Sequence, residues 1–281
     1  MIRALVLAGG GVAGIAWELG VLLGIRDAAG DLRPPLEAAD LIVGTSAGST
    51  VAAQITSGQD LETLFAAQLS AHSTEIPVDV DLQDLMASLT SATAGALSPS
   101  QARQRIGEWA LNAATVDEPA RRAAVAGRLP SHEWPDRRIL LPAVDAQTGQ
   151  LIVFTRDSGV ALVDAVTASC AVPGVWPPVT IGQRRYIDGG MRSATNADLA
   201  SGSDRVLVIT PTLAGAPAPW GSLDDEIERL SPAAVQVVHA DEASQAAFGP
   251  NPLSATTRGA AARAGRAVGR RHATDVAQFW N

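Results

Sequence analysis

The ten residues Leu41–Thr50, LIVGTSAGST, decide how the chain reads. Leu41–Val43 is a leucine and β-branched run that predicts a buried strand. Gly44-Thr45-Ser46-Ala47-Gly48 then interrupts it and opens a helix of small residues. This is the G-x-S-x-G pattern, in which Gly44 and Gly48 allow a tight strand-to-helix turn that pushes the Ser46 hydroxyl out of the sheet. A serine hydroxyl is a weak nucleophile at neutral pH and needs a base. If Ser46 is a nucleophile, another part of the chain must supply the group that takes its proton.

Upstream, Arg3–Ala8 predicts a second buried strand, followed by Gly9-Gly10-Gly11 and a helix from Ala13 to about Ala28. Gly9, Gly11 and Gly14 satisfy G-x-G-x-x-G, which also describes a dinucleotide-binding turn. That use requires an acidic residue at the end of the second strand. Asp40 precedes that strand, and Asp31 and Glu37 fall in the intervening loop, so the nucleotide reading fails at its second requirement. Consecutive glycines at a helix N-terminus also suit an oxyanion hole, because their N–H groups are unobstructed and the helix dipole favours negative charge. A tight turn with no chemistry is the plainer alternative. It loses weight because the next strand in sequence ends in a candidate nucleophile, and the carboxyl ends of adjacent parallel strands are where open α/β sheets bind ligands.

Between Leu61 and Val125 the apolar residues recur with helical spacing, punctuated by Pro77, Pro99 and Pro119, which predicts a helical insertion or lid over about 60–130. Strands resume at Ile139–Val144 and Leu151–Thr155 around the hairpin turn DAQTGQ, and Val160–Ser169 reads as helix. A short strand ending at Tyr186–Ile187 leads into Asp188-Gly189-Gly190. Val206–Thr210 reads as the last buried strand, with helices over about 222–281, and His239 within one of them. Early βαβ alternation followed by mixed strands predicts an α/β fold with helices on both faces of a sheet. No linker divides the chain, so one domain is expected over 1–281, with its core over about 3–212.

The formal net charge of −8 argues against a nucleic-acid partner, whose phosphates need a basic face. The single cysteine, Cys170, excludes an internal disulfide and makes reducing cytosol the default. The apolar start is broken by glycines and Glu18, and no uninterrupted stretch reaches the ~20 residues of a spanning helix. A cytoplasmic protein without signal peptide or transmembrane segment is expected.

Two kinds of base are available. In the order Ser…Asp…His, a triad would draw on His239 or His272, with Asp188 as its acid. The other candidate is Asp188 itself. RRYIDGG puts its carboxylate at a strand end, with Gly189 and Gly190 behind it so that another backbone can approach. Desolvated by the neighbouring VPGVWPPV, such a carboxylate would have a raised pKa and accept the serine proton without an imidazole.

Taken together and in order, the glycine loop, G-x-S-x-G, ASCAVPGVWPPV and D-G-G resemble the patatin-like phospholipase family. GGGVAG…GTSAG covers the first fifty residues and ASCAVPG…IDGG covers 168–190. The resemblance implies a three-layer α/β/α acyl hydrolase with a Ser46–Asp188 dyad, Ser46 as nucleophile and Asp188 as base. Gly10, Gly11 and Val12 would supply oxyanion N–H groups, with Gly9, Gly14, Gly44, Gly48, Gly189 and Gly190 as motif glycines. It further implies cleavage of fatty acyl esters of phospholipids or related lipids through an acyl-serine intermediate, with no metal and no cofactor. A histidine triad, or a non-catalytic lipid-binding protein of the same fold, are the alternatives. One departure stands out: family members often carry Arg or Lys two places after the third glycine, where this chain has Ala13. The missing cation could have oriented the loop or met a phosphate. Arg192, just past D-G-G, reads as a solvated arginine, an ion-pair partner or a stand-in for it.

An acyl chain needs an apolar groove, for which Trp17, Val172, Val175, Trp176 and the leucines of 82–89 are candidates. The C-terminal RGAAARAGRAVGRRHATDVAQFWN has five arginines against one aspartate. It reads as a docked helix with a solvated arginine face, with transient contact to a membrane surface as the alternative.

Overall fold

The computed structural model describes residues 1–30, 35–216 and 221–281; Asp31 lies outside them. The first half of the chain builds β1 (Arg3–Leu7), α1 (Gly11–Ala28), β2 (Leu41–Gly44) and α2 (Ala47–Ile55). Four helices follow: α3 (Leu61–Leu69), α4 (Leu82–Thr93), α5 (Pro99–Asn112) and α6 (Glu118–Ala126). Each has a capping side chain that accepts first-turn N–H groups, from Asp60, Asp81, Ser98 and Asp117 respectively. The second half contributes β3 (Ile139–Asp145), β4 (Leu151–Phe154), α7 (Leu162–Ser169), β5 (Val179–Ile181), β6 (Arg184–Asp188) and β7 (Arg205–Thr210). The last elements are α8 (Leu223–Arg229), β8 (Ala234–His239), α9 (Glu242–Phe248) and α10 (Arg258–Trp280).

Among the described residues the strands form one sheet in the order β5-β6-β3-β2-β1-β7-β8, with β4 also paired to β3. Pairing is parallel from β3 through β2, β1 and β7 to β8, and antiparallel among β3, β4, β5 and β6. Side chains alternate across a strand, and β1 uses both faces. Leu5 and Leu7 join a core with α1, α2, α7 and α10, while Ala4 and Val6 pack with Ala197, Ala200 and Leu230 on the other side. The architecture is the expected α/β sandwich.

The segment containing His239 differs from its expected helix. AVQVVH is a sheet-edge strand, paired to β7 from Arg205↔Ala234 to Thr210↔His239. Three β-branched valines in six residues suit a pleated edge better than a helix, so the C-terminal region is not helical throughout.

The N-terminal helix explains the apolar start. Every residue of α1 from Val12 to Ile25 is buried. One flank meets α10 at very close range: a Cβ on Gly20 would lie 2.2 Å from the Ala262 carbonyl, and one on Gly265 would lie 2.1 Å from the Trp17 carbonyl. Glycines thus set the helix separation, and Val268, Val276 and Trp280 of α10 are buried. Arg266 and Arg270 both pair with Asp27, and Arg271 pairs with Asp241. The C-terminal arginine stretch is a docked helix, and no helix among the described residues is long and apolar enough to cross a membrane.

Candidate active site

Parallel pairing matches Leu7 with Gly44, so β1 and β2 end side by side and bring the glycine loop next to the serine turn. The glycines of that turn are sterically required. A Cβ on Gly44 would sit 2.4 Å from the Gly48 carbonyl oxygen, and one on Gly48 only 2.1 Å from that of Leu7. Between them Ser46 takes φ 52°, ψ −111°, a conformation that few residues with a side chain adopt. Its surroundings hold it there: the Ser46 N–H donates to Ser169 Oγ at 3.0 Å, and that hydroxyl donates to the Pro142 carbonyl at 2.7 Å. The Ser46 carbonyl accepts from Ser49 Oγ at 2.6 Å and Cys170 Sγ at 3.0 Å. Strain kept in place by several bonds is typical of a functional site.

Antiparallel pairing of β6 on β3, with Ala143 opposite Asp188, brings the aspartate to the same end of the sheet. Ser46 Oγ donates to Asp188 Oδ2 at 2.7 Å, across 142 positions of sequence. Asp188 Oδ1 accepts the Gly190 N–H at 2.7 Å. The carboxylate is 2% exposed. Burial pushes its pKa up to about 7, against the smaller opposing effects of the Ser46 and Gly190 hydrogen bonds and the Arg121 cation. A carboxylate with that pKa exchanges a proton near neutral pH. Gly189 is needed here too, since a Cβ would lie 2.3 Å from the Pro142 carbonyl. Behind the turn, Asn196 adopts a left-handed φ of 49° and donates from Nδ2 to Thr45 Oγ1 and the Ser193 carbonyl, which ties the loop after β6 to the serine turn.

In the glycine loop, Gly9 and Ala13 donate their N–H groups to the carbonyls of Ala194 and Pro252. Gly11 and Val12 lie between them in the first turn of α1, where N–H groups have no partner within the helix. Both line a cavity of about 20 Å³ together with Ser46 and Ala47. Gly10 packs against Pro211 and does not line that cavity. The backbone at Ala13 meets the Pro252 loop, and Arg192 is an ion-pair partner of Asp198 that also donates to Asn196.

The rest of the cavity wall is Ile15, Arg121, Arg128, Cys170, Val172, Trp176 and Leu253. Val172 and Trp176 thus line the cavity with Ser46, and with Val175 they join an apolar cluster that includes Ile76, Val78, Val80 and Leu85. Trp17 is not part of it. Its Nε1 donates to Ser244 Oγ and its ring meets Phe248 edge-on in the core. Leu89 packs instead with Ile106 and Val144. Burial pushes the Cys170 thiol up, away from thiolate chemistry. Among the described residues no histidine lines the cavity: His239 reaches the Thr212 carbonyl and His272 lies on α10. Among the described residues no cluster of His, Cys, Asp and Glu could hold a metal.

The family model of the patatin-like phospholipases matches residues 5–201. The chain belongs to that family. Membership supports a lipid-hydrolase function. No curated protein matches the chain. Among solved structures it is similar to VipD from Legionella pneumophila, at 12% identity and TM-score 0.47, over 98% of this chain and 67% of that one. It is also similar to the type III effector protein ExoU, at 15% identity and TM-score 0.45, over 98% of this chain and 53% of that one. The chain thus spans about half the length of ExoU.

Two groups beside Ser46 escape sequence reading. Ser169 sits inside the ASCAVPG stretch, but nothing local says that its hydroxyl holds the Ser46 N–H. Arg121 comes from α6, where EPARRAAVA has the pattern of a surface helix, yet its side chain is 3% exposed.

Proposed function

We propose that the chain is a serine acyl hydrolase that cleaves fatty acyl esters of lipids with Ser46 as nucleophile and Asp188 as its base. The observation that carries this reading is the 2.7 Å hydrogen bond from Ser46 Oγ to a buried carboxylate poised near neutral pH. In the first half-reaction, Ser46 Oγ attacks the ester carbonyl carbon and its proton passes to Asp188 Oδ2. The tetrahedral oxyanion lies against the N–H groups of Gly11 and Val12, near the positive end of the α1 dipole. As the intermediate collapses, the Asp188 proton goes to the leaving alcohol oxygen and leaves an acyl-serine. Water then repeats the sequence: Asp188 takes its proton, hydroxide adds to the acyl carbon, and the Ser46 oxygen leaves with the proton returned by Asp188. The acyl chain lies along Val172, Val175 and Trp176, beneath the apolar side chains of the 76–85 segment.

Release of free fatty acid from phospholipid vesicles, read by mass spectrometry, tests the proposal. Wild type is expected to release fatty acid, and Ser46→Ala and Asp188→Asn to fall to background. Turnover retained by Ser46→Ala would overturn it.

A further inference from the structure

The cavity at Ser46 is lined by a cation with hydrogen-bond donors that neither the fold nor the dyad engages. Arg121 is 3% exposed, and its Nε and Nη1 have no hydrogen-bond partner among the described residues. The nearest carboxylate, Glu75, lies 3.9 Å from Nη1, but both of its oxygens already accept from Arg128 Nε and Nη2. Two guanidiniums therefore share one carboxylate, which leaves Arg121, Arg128 and Glu75 with one net positive charge that also acts on Asp188. Leaving a buried donor unsatisfied is costly, and an unpaired buried charge more so. Burial, and then the Arg128 cation, lower the Arg121 pKa to about 9, so it stays charged at neutral pH.

The side chain is also held in place. The face of Trp176 lies 3.7 Å from the guanidinium carbon. The helix that carries it is pinned on both sides of Arg121, to β5 and to α7. Glu118 accepts from the Thr180 N–H and hydroxyl at 2.6 and 2.9 Å, and Arg122 pairs with Asp164 at 2.5 Å. A buried, rigidly mounted cation with two unpartnered nitrogens beside a nucleophile is suited to an anionic oxygen of the molecule whose ester is cleaved.

We propose that Arg121 binds the phosphodiester of a glycerophospholipid while Ser46 attacks the neighbouring acyl ester, supplying from α6 the cation that Ala13 leaves out of the glycine loop. This rests on the hydrolase reading above. The unpartnered Nε and Nη1 lie on different edges of the planar guanidinium, so either can donate to a phosphate oxygen that enters on its side, and substrate entry parts the Trp176–Leu253 wall that otherwise leaves room for about one water. Arg121 is thus a specificity residue that neither gives nor takes a proton, although its charge favours the ionised form of Asp188.

The test compares kcat/KM for dioctanoyl phosphatidylcholine and for dioctanoylglycerol, which has the same acyl esters and no phosphate. Wild type is expected to favour the phospholipid, and Arg121→Met to reduce that preference at least about tenfold, with Arg121→Lys between them. A wild type indifferent to the phosphate, or an Arg121→Met loss equal on both substrates, overturns the proposal. A second measurement does not need turnover: dihexanoyl phosphatidylcholine, below its micelle concentration, is titrated by calorimetry into Ser46→Ala protein. Saturable binding that is at least about tenfold weaker when Arg121→Met is added is expected. Binding that ignores Arg121, or no binding, overturns the proposal whether or not the chain hydrolyses lipid. Absence of hydrolysis with Arg121-dependent binding would overturn only the hydrolase reading.

Discussion

Asp188→Asn should abolish function and yet stabilise the fold at alkaline pH. In the folded chain the carboxyl takes up a proton with a pKa of about 7, against an ordinary value of 3.8, and burial is the main cause. Its folded pKa is raised, so its contribution is fully present below about pH 4 and is lost progressively as pH climbs to about 7. Over that window the folded state holds a proton that the unfolded state has released. Each pH step is worth about 1.4 kcal/mol, so the whole window amounts to about 4 kcal/mol, an upper figure for a buried group. The amide of the Asp188→Asn variant does not titrate. It matches the carboxylate in shape and still has an oxygen for the Gly190 N–H. Urea unfolding of both proteins at intervals from pH 4 to pH 8.5 should show the variant gaining on wild type by several kcal/mol, with the gain levelling off above pH 7. A difference that stays flat across this range would mean that Asp188 ionises as an exposed carboxylate does, and the account of its basicity would fail.

The same titration governs turnover. The kcat/KM for a neutral ester should rise with pH along a limb centred near pH 7, as Asp188 becomes able to accept the serine proton; a limb centred near pH 4 would refute this. Gly48→Ala places a Cβ 2.1 Å from the Leu7 carbonyl oxygen, so β1 and the serine turn must separate. A loss of about 2 kcal/mol or more in chemical unfolding is expected, and an unchanged midpoint would show that the turn has slack. Glu18 is fully buried with no cation paired to it among the described residues, and burial pushes its pKa well above the usual range. Glu18→Gln should therefore gain thermal stability relative to wild type as pH rises from 5 to 8; a gap that stays flat over that range would mean Glu18 is ionised in the fold.

What is legible in the sequence follows from how local each constraint is. The serine turn and the glycine loop announce themselves because close backbone approach, at Gly44 and Gly48 above all, excludes every other residue type within a few positions. Two such turns after consecutive strands are enough to place an α/β sheet around them. Asp188 is legible only as a strand-end carboxylate before two glycines; its contact with Ser46 depends on β6 joining β3, a pairing that local patterning does not encode. Trp17 is misplaced because α1 is buried all round, which leaves no polar face to show which side meets what. The edge strand at 234–239 is short, and short apolar runs do not separate strand from helix by period alone. Arg121 is the least legible, since its environment is assembled from Glu75, Arg128 and Trp176, on three other segments.

The pairing of Ser46 with Asp188 as nucleophile and base is tested most directly by labelling with a fluorophosphonate, which reacts with activated serines, read by intact mass and peptide mapping. The account predicts a single adduct on Ser46 in wild type, no adduct in Ser46→Ala, and a labelling rate at least about a hundredfold lower in Asp188→Asn. It predicts a wild-type rate in His239→Ala/His272→Ala. Labelling of Asp188→Asn at the wild-type rate, or its loss in the double histidine variant, would contradict it.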